Sequence, residues 1–256
     1  MKYKFLIKVI RLEGKNISQV LISIVSHGQG VLIKKLLHDL ASNLKDSQHC
    51  LKIVVTLNIP ENESFLSDYP NLHIQIIRNK FKKGYGENHN FAFNSVSSDY
   101  FLVINPDVRI KSNFIDVLIP HFNSNVGVVA PKVLNSLGSI EDSFRKFPTF
   151  FTFIKRKFLN YQKFDYTFLS SEPQEVDWVA GMFMFFESQK FRKISGFDER
   201  YFMYLEDADI CRRLQKKMLS TIYVQDYEVI HDARRSSRKN IKYLFWHIKS
   251  MIRFLS

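Results

Sequence analysis

The sequence lacks the features of secreted, disulfide-bonded or membrane-spanning proteins. Only two of its 256 residues are cysteines, Cys50 and Cys211, so a disulfide framework is not expected and the reducing cytoplasm is the default compartment. No run of about 18 apolar residues occurs, so we expect no membrane-spanning helix. Lysines interrupt the apolar residues at the N-terminus, and no signal peptide is expected there. Hydrophobic residues make up 45% of the chain, which is ample for a globular core.

The chain carries an excess of positive charge, with a formal net charge of +12. Such a charge attracts polyanions, which include nucleic acid, anionic lipid and phosphorylated small molecules. A nucleic-acid-binding protein would need a recognisable module, such as an RNA-recognition or zinc-binding motif, and the sequence contains none. It would also leave the acidic residues around position 207 unexplained, so no nucleic-acid partner is expected.

Much of the positive charge lies near the C-terminus. Seven lysines and arginines and no acids fall between Arg234 and Arg253. Apolar residues recur there on one helical face, at positions 241, 244, 245, 248 and 252. A basic amphipathic helix of this kind is typical of proteins that lie on an anionic membrane surface. The alternative is a terminal helix that packs on the domain and leaves its basic residues in water.

Strand-like apolar runs alternate with helical patterns in the first half of the chain. The expected strands are Val20–Val25, Leu51–Leu57, His73–Ile77 and Tyr100–Ile104, and a loop at Gly84–Asn90 leads into a short helix. This alternation predicts an α/β fold with a mostly parallel sheet flanked by helices. Phe144–Phe168 is aromatic and basic without a clean period, which suggests a lid or a partner-binding insert. We expect one domain over residues 1–256, because no repeat, linker or low-complexity tract divides the chain.

Polar residues follow several of the expected strands. His27, Asn58, Asn79 and Asp107 lie at or just after strand ends. Ligands of open parallel sheets bind beyond the carboxyl ends of the strands. These four residues are therefore candidates for a binding site.

A second candidate segment is Tyr201–Cys211, which carries Glu206, Asp207 and Asp209 among apolar and aromatic residues. Carboxylates in such company are usually paired, bound to a metal or chemically active. An acid at a strand end together with an acidic pair at a helix start indicates a metal-dependent site that uses a general base.

Short motifs occur in a fixed order along the chain. They are Ser23–His27, Arg78-Asn79, Gly84–Asn90, Asn105-Pro-Asp107, Trp178–Met184, Gly196-Phe-Asp198, Tyr204–Asp209, and His231 followed by Ser236. As an ordered set over roughly residues 18–235, they resemble family-2 glycosyltransferases of the GT-A fold. Within that family the chain is most similar to the rhamnosyltransferase-type members that build bacterial O-antigen and related surface polysaccharides.

The resemblance implies an inverting, metal-dependent glycosyltransferase that moves a sugar from a nucleotide sugar to a lipid-linked saccharide. The implied donor is dTDP-L-rhamnose, with a UDP- or GDP-linked hexose as the alternative. The implied acceptor is a polyprenyl-diphosphate-linked saccharide at the cytoplasmic face of the inner membrane. The nucleotide-sugar half would span residues 18–110, the acceptor and catalytic half 111–235, and the basic C-terminal helix 236–256.

The resemblance also assigns binding residues. It implies donor contacts at Ser26, His27, Asn58, Asn79, Gly84, Gly86, Asn88, Asn90 and Asn105, and acceptor contacts at Trp178 and Gly181. Glycines at 84 and 86 would permit close backbone approach to a phosphate or ribose, with a plain turn as the alternative. The amides at 88 and 90 would bind either the donor or the loop itself. The indole at 178 would either stack on a sugar ring or belong to the core.

The chemical roles follow from the same resemblance. Asp107 and His231 are implied ligands of Mg²⁺ or Mn²⁺, ions that commonly share their ligands with substrate phosphates. A strand-end turn is the alternative for Asp107, and a structural role is the alternative for His231. Asp207 is the implied general base, while Glu206 would either hydrogen-bond the acceptor or orient a loop. Asn105 would offer an amide oxygen to the ion or bind the ribose.

Two positions depart from the family pattern. The second strand ends in Thr56-Leu57-Asn58, without the Asp that often binds the nucleobase, which puts nucleobase recognition in doubt. The late motif reads His231-Asp-Ala-Arg-Arg-Ser236, without the usual glycine, and its arginines are candidates for phosphate contact instead.

Overall fold

The computed structural model describes residues 17–158, 165–166, 172–231 and 241–256. The described strands are β1 (Gln19–Ser26), β2 (Cys50–Leu57), β3 (Ile74–Arg78), β4 (Tyr100–Ile104), β5 (Arg109–Ile110), β6 (Val126–Leu134), β7 (Phe144–Arg145), β8 (Gln174–Val176), β9 (Trp178–Val179), β10 (Phe183–Glu187) and β11 (Ser220–Ile230). The described α-helices are α1 (Gly30–Asn43), α2 (Tyr85–Ser95), α3 (Phe114–Leu118), α4 (Phe150–Phe158), α5 (Ser188–Lys193), α6 (Glu206–Gln215) and α7 (Ile241–Leu255). Short 3₁₀ turns occupy Ser64–Asp68 and Ile119–His121.

One sheet runs through both halves of the chain, in the order β3-β2-β1-β4-β10-β6-β11-β5, with β8 beside β11. Strands β1 to β4 are parallel, whereas β10 is antiparallel to both neighbours, β4 and β6. A separate two-stranded sheet pairs β7 with β9. The carboxyl ends of β1, β2, β3 and β4 therefore meet at one edge, as the sequence predicts, and β10 enters the sheet beside them.

Helices cover both faces of the sheet, which explains why its strands are apolar on both sides. Successive residues of β1 point to opposite faces: Leu21 belongs to one buried cluster and Ile22 to the other. The first cluster includes residues of α2, α5, α6 and α7, and the second includes residues of α1 and α3. This arrangement confirms the expected mostly parallel α/β sheet flanked by helices.

The local predictions differ from the structure at the segment Gly84–Asn90. We expected a loop there, but α2 already begins at Tyr85, so most of this segment forms the first turns of a helix. The helical periodicity is hidden here by a glycine, three polar residues and a histidine. Their helix propensity is low, so packing against the rest of the site must stabilise the helix.

In the described ranges, no helix is long and apolar enough to cross a bilayer.

Helix α7 has one face packed on the domain and one exposed apolar face. Its inner face is packed on the domain, where Ser250, Met251 and Phe254 are buried. Its outer face is a stripe of exposed apolar residues at positions 241, 245, 248, 252 and 255.

Some segments considered in the sequence analysis lie outside the described parts of the chain. They are residues 1–16, residues 234–240, which include Ser236, and most of the second half of Phe144–Phe168.

Candidate active site

The polar residues at the ends of β1, β2 and β3 form one hydrogen-bonded cluster. The side-chain amide of Asn58 donates to the His27 ring (Nδ2 to Nε2, 3.3 Å) and to the Lys83 carbonyl (2.9 Å). Its carbonyl oxygen accepts from Asn79 Nδ2 (2.8 Å) and from the Lys83 backbone N–H (2.8 Å). Burial, and then the charge of Lys82, lower the pKa of His27, so its ring is neutral at physiological pH. Asn58 thus ties the strand ends to the start of the Gly84 segment.

The amides of Asn88 and Asn90 are used within the protein. Asn88 is fully buried, donates to the Gly84 carbonyl (2.7 Å) and accepts from Asn79 Nδ2 (2.6 Å). Asn90 exchanges two 2.9 Å hydrogen bonds with the backbone of Phe197. Of the two roles considered for these amides, the contacts favour holding the loops in place. Donor contact by either amide stays a prediction.

Gly84 and Gly86 are required by protein packing. A Cβ at Gly84 would lie 3.0 Å from the Phe202 carbonyl oxygen, and one at Gly86 would lie 2.6 Å from the Phe197 Cβ. Both positions lie against the segment that leads to α6, and the predicted approach of a donor phosphate or ribose at these glycines stays a prediction. Their φ angles are not in the left-handed region, so close approach is the reason for glycine at both positions.

The acid of Asn105-Pro-Asp107 meets His231 across the sheet. Asp107 follows β4 and His231 follows β11, and their Oδ1 and Nε2 atoms are 3.3 Å apart. His231 is 6% exposed, and its Nδ1 has no hydrogen-bond partner among the described residues. No group of three or more His, Cys, Asp or Glu side chains in those residues converges on a metal site. One carboxylate and one imidazole fit a divalent ion that takes its other ligands from substrate oxygens and water.

Helix α6 begins at Glu206, so the acidic pair occupies its first turn as predicted. Glu206 is 6% exposed, and its Oε2 makes no hydrogen bond with a described residue. Burial, and then the neighbouring charge of Asp207, raise the pKa of Glu206 well above its usual value. Burial also raises the pKa of Asp207, but two backbone hydrogen bonds, from the N–H groups of Gly181 (2.9 Å) and Ala208 (2.8 Å), oppose that rise. Within the pair, burial and the neighbouring charge disfavour the ionised form of Glu206, while the two N–H groups stabilise the carboxylate of Asp207.

The turn that precedes this pair is strained and clamped. Tyr204 and Leu205 have φ angles of 72° and 65°, which L-residues with bulky side chains rarely adopt. Helix α7 holds the turn from outside, because Ser250 Oγ donates to the Met203 carbonyl (2.9 Å) and the His247 ring stacks on Tyr204 with centroids 4.8 Å apart. The position of the acidic pair thus depends on the C-terminal helix.

The comparisons with known proteins agree with this arrangement. A family model described as "Glycosyltransferase like family 2" matches residues 25–251. The rhamnosyltransferase WbbL of Escherichia coli K12 is 34% identical over 258 residues, which cover 93% of this chain and 92% of that protein. The chain belongs to glycosyltransferase family 2. The N-acetylglucosaminyl-diphospho-decaprenol L-rhamnosyltransferase of Mycobacterium tuberculosis is 32% identical over 169 residues, 62% of this glycosyltransferase and 55% of the relative.

Solved structures confirm the fold of this glycosyltransferase. A crystal structure of GalNAc-T7 with UDP, GalNAc and Mn²⁺ matches with a TM-score of 0.66 at 14% identity, over 85% of this chain and 44% of that one. At this level of identity the likeness concerns the GT-A fold alone, and the fold class predicted from the sequence is confirmed.

The two predicted acceptor residues of this glycosyltransferase have well-defined protein contacts. Gly181 lies at the acidic pair, where its N–H donates to Asp207. Trp178 is 6% exposed, its Nε1 donates to the Lys146 carbonyl (3.0 Å), and the Arg145 guanidinium lies 5.5 Å from its ring centroid. Of the two roles considered for the indole, these contacts favour the core, and acceptor contact by either residue stays a prediction.

Ser26 lies at the end of β1, where its Oγ accepts from the Gln29 backbone N–H (3.1 Å) and helps to start α1.

Sequence reasoning missed Tyr85 and Arg145 altogether. Tyr85 donates to the Gly181 carbonyl (2.5 Å), and Arg145 acts on the charge of Asp207. Tyr85 lies inside the motif Gly84–Asn90 but was given no role there, and Arg145 lies outside every motif, so only the packing of distant segments identifies them.

Proposed function

We propose that this glycosyltransferase moves L-rhamnose from dTDP-L-rhamnose to a lipid-linked saccharide, with inversion at the anomeric carbon, in the assembly of a cell-surface polysaccharide such as O-antigen. Similarity to two rhamnosyltransferases supports the sugar. The name of the mycobacterial relative supports a polyprenyl-diphosphate-linked acceptor. A single catalytic domain over residues 1–256 is part of the proposal.

The observation that carries the proposal is a hydrogen-bonded link between the metal motif and the acidic pair. The Tyr85 hydroxyl lies 3.3 Å from Asn105 Oδ1 and 2.5 Å from the Gly181 carbonyl oxygen, and the Gly181 N–H donates to Asp207 (2.9 Å). An inverting transfer needs stabilisation of the leaving diphosphate on one side and a base for the acceptor hydroxyl on the other. The site offers both kinds of group within one cluster.

Asp107 and His231 are the residues that would hold a divalent ion, Mg²⁺ or Mn²⁺. When bound, such an ion supplies Lewis-acid stabilisation of the diphosphate charge. A protein of the same fold has Mn²⁺ and UDP bound in its crystal structure, which supports this use of the site. The proposed acceptor contacts are Trp178 and Gly181. The proposed donor contacts are Ser26, His27, Asn58, Asn79, Gly84, Gly86, Asn88, Asn90 and Asn105.

Asp207 is the proposed general base. Its carboxylate accepts hydrogen bonds from the N–H groups of Gly181 and Ala208, and these bonds favour its ionised form, the form that a general base needs. In the transfer, the acceptor oxygen forms a bond to the anomeric carbon as the bond to the donor diphosphate breaks, and the acceptor proton passes to Asp207. A single displacement of this kind inverts the anomeric configuration. Glu206 in its neutral form can donate a hydrogen bond to the acceptor.

The outer face of α7 supports attachment to the cytoplasmic face of the membrane. Phe245, Ile248 and Ile252 are exposed there by 64%, 39% and 66%, and Lys249 is exposed among them. Residues 241–256 contain no acid, so cations and apolar groups share one surface. An anionic bilayer matches both properties, and it is where a polyprenyl-linked acceptor resides. The protein and its acceptor would then meet in a thin layer.

The decisive experiment offers the purified protein dTDP-L-rhamnose, UDP-hexoses and GDP-hexoses with Mg²⁺ or Mn²⁺ and a short polyprenyl-diphosphate saccharide, and measures nucleotide release and product mass. We expect turnover with dTDP-L-rhamnose. Because Thr56-Leu57-Asn58 lacks the family's nucleobase-binding acid, a UDP- or GDP-hexose is the alternative donor, and turnover with one of these alone would replace the sugar assignment.

A further inference from the structure

Tyr85 links three separate segments of the site. Its hydroxyl lies 2.5 Å from the Gly181 carbonyl oxygen and 3.3 Å from Asn105 Oδ1. Its backbone N–H donates to the Phe202 carbonyl (2.9 Å), in the segment that leads into α6. A phenol has one proton, and the shorter contact takes it.

Gly181 connects this hydroxyl to Asp207. Its carbonyl accepts from Tyr85, and its N–H donates to Asp207 Oδ2 (2.9 Å). A glycine has no side chain to restrict its φ and ψ angles, so the direction of its N–H depends on what holds the neighbouring carbonyl. A Cβ at Gly181 would lie 3.3 Å from the Tyr85 hydroxyl, so the close approach itself favours glycine.

The Tyr85 ring is locked in place from the sides. The His89 ring meets it edge-on with centroids 4.5 Å apart, and Phe197 lies beyond at 6.3 Å. His89 is fully buried and bonded to Ser23 (2.8 Å), and burial lowers its pKa to about 3, so it packs as a neutral ring. The hydroxyl therefore has a fixed position relative to the sheet.

We propose that Tyr85 is a positioning residue for the general base: its hydroxyl fixes Gly181, and Gly181 in turn aims its N–H at Asp207. The same hydroxyl contacts Asn105 of the metal motif, so it sets the spacing between the leaving-group side and the acceptor side of the site. The inference rests on the proposed role of Asp207 and names a residue to which no function was assigned from the sequence.

The test is Tyr85→Phe, which removes one oxygen and keeps the ring packing. We expect kcat for transfer to fall by about 10- to 100-fold, the usual effect of losing an orienting contact, while binding of dTDP stays within about twofold. Without the hydrogen bond from the Tyr85 hydroxyl, Gly181 no longer aims its N–H at Asp207, and the Asp207 carboxylate is less stable. The pKa of Asp207 therefore rises, and the acidic limb of the pH profile of kcat moves to higher pH. The other groups facing Asp207, which are Glu206, Arg145 and Cys211, are the same in both proteins.

The matched control is Tyr69→Phe, because that hydroxyl also donates to a backbone carbonyl, of Lys34 at 2.8 Å, on the far side of α1. It should leave kcat and its pH profile unchanged. A readout that needs no turnover is the ¹³C carboxyl titration of Asp207, which should move upward in Tyr85→Phe only. An unchanged Asp207 titration overturns the proposal even if the sugar assignment is right. If the Asp207 titration moves in Tyr85→Phe but the wild-type protein transfers no rhamnose, the positioning role is supported and only the proposed donor is refuted.

Discussion

Replacing Glu206 by Gln should stabilise the protein at alkaline pH while lowering its activity. Glu206 is 6% exposed, its Oε2 has no hydrogen-bond partner in the described part of the chain, and Asp207 follows it directly. Burial and the Asp207 charge raise the pKa of Glu206 in the folded protein. Above the ordinary glutamate pKa the unfolded chain ionises, whereas the folded protein still holds the proton. The free energy of unfolding therefore falls as pH rises from the unfolded pKa to the folded one.

The size of the effect follows from this linkage. At pH values above both pKa values of Glu206, the free energy of unfolding is lower by about 1.4 kcal/mol for each unit by which the folded pKa exceeds the unfolded pKa. An unsatisfied buried polar group costs on the order of 1–3 kcal/mol, and we expect the gain at alkaline pH to fall in that range. For a chain of this size, 1 kcal/mol shifts Tm by about 2–4 °C. Gln resembles the protonated acid in shape and charge, so the gain should vanish at acidic pH.

The assay is thermal unfolding of the wild type and Glu206→Gln at about pH 4 and about pH 8, with chelator and without nucleotide, so that no ligand contributes. Glu175→Gln is the matched control, because Glu175 is exposed on β8. A Tm for Glu206→Gln that is no higher than wild type at the alkaline pH, or a gain that is equal at both pH values, would refute the reasoning. Transfer activity should fall in the same variant, because an amide group presents different hydrogen-bond donors and acceptors to the acceptor sugar than the neutral carboxylic acid does.

Three further predictions concern the chemistry and the membrane. Asp107→Ala should abolish divalent-cation-dependent turnover with Tm little changed, and full activity after chelation would contradict the metal role. Asp207→Asn should lower kcat by about two to four orders of magnitude with donor binding retained, and turnover within a few-fold of wild type would assign the base elsewhere. Wild-type protein should sediment with anionic vesicles at low salt and be released at high salt, and the double variant Lys242→Glu, Lys249→Glu should not bind, since each cation near the surface contributes about 1 kcal/mol. Equal sedimentation of the double variant would show that these lysines do not bind lipid.

Much of the fold could be predicted because its signals are local. The strand Tyr100–Ile104 has the predicted bounds, and the helix that presents Glu206 begins where the acids begin. Apolar runs that alternate with helical patterns indicate strands buried on both faces of a sheet, and this pattern can be recognised without knowing which strands pair. Gly84–Asn90 was misjudged because its helix is stabilised by contacts with residues more than a hundred positions away, such as the Tyr85 bond to Phe202.

The family, the α/β class and the candidate acids Asp107 and Asp207 could be inferred from the sequence, because motif residues and hydrophobic periodicity follow the order of the chain. What those residues contact depends on the tertiary fold. The fold brings His231 to Asp107, gives Asn88 and Asn90 protein partners, packs Arg145 on the buried Trp178, and links Tyr85 to Gly181 and Asn105. The physical reason is that each of these contacts joins groups held by different elements. Their distances are set by how helices pack on the sheet, and no spacing along the chain encodes that packing directly.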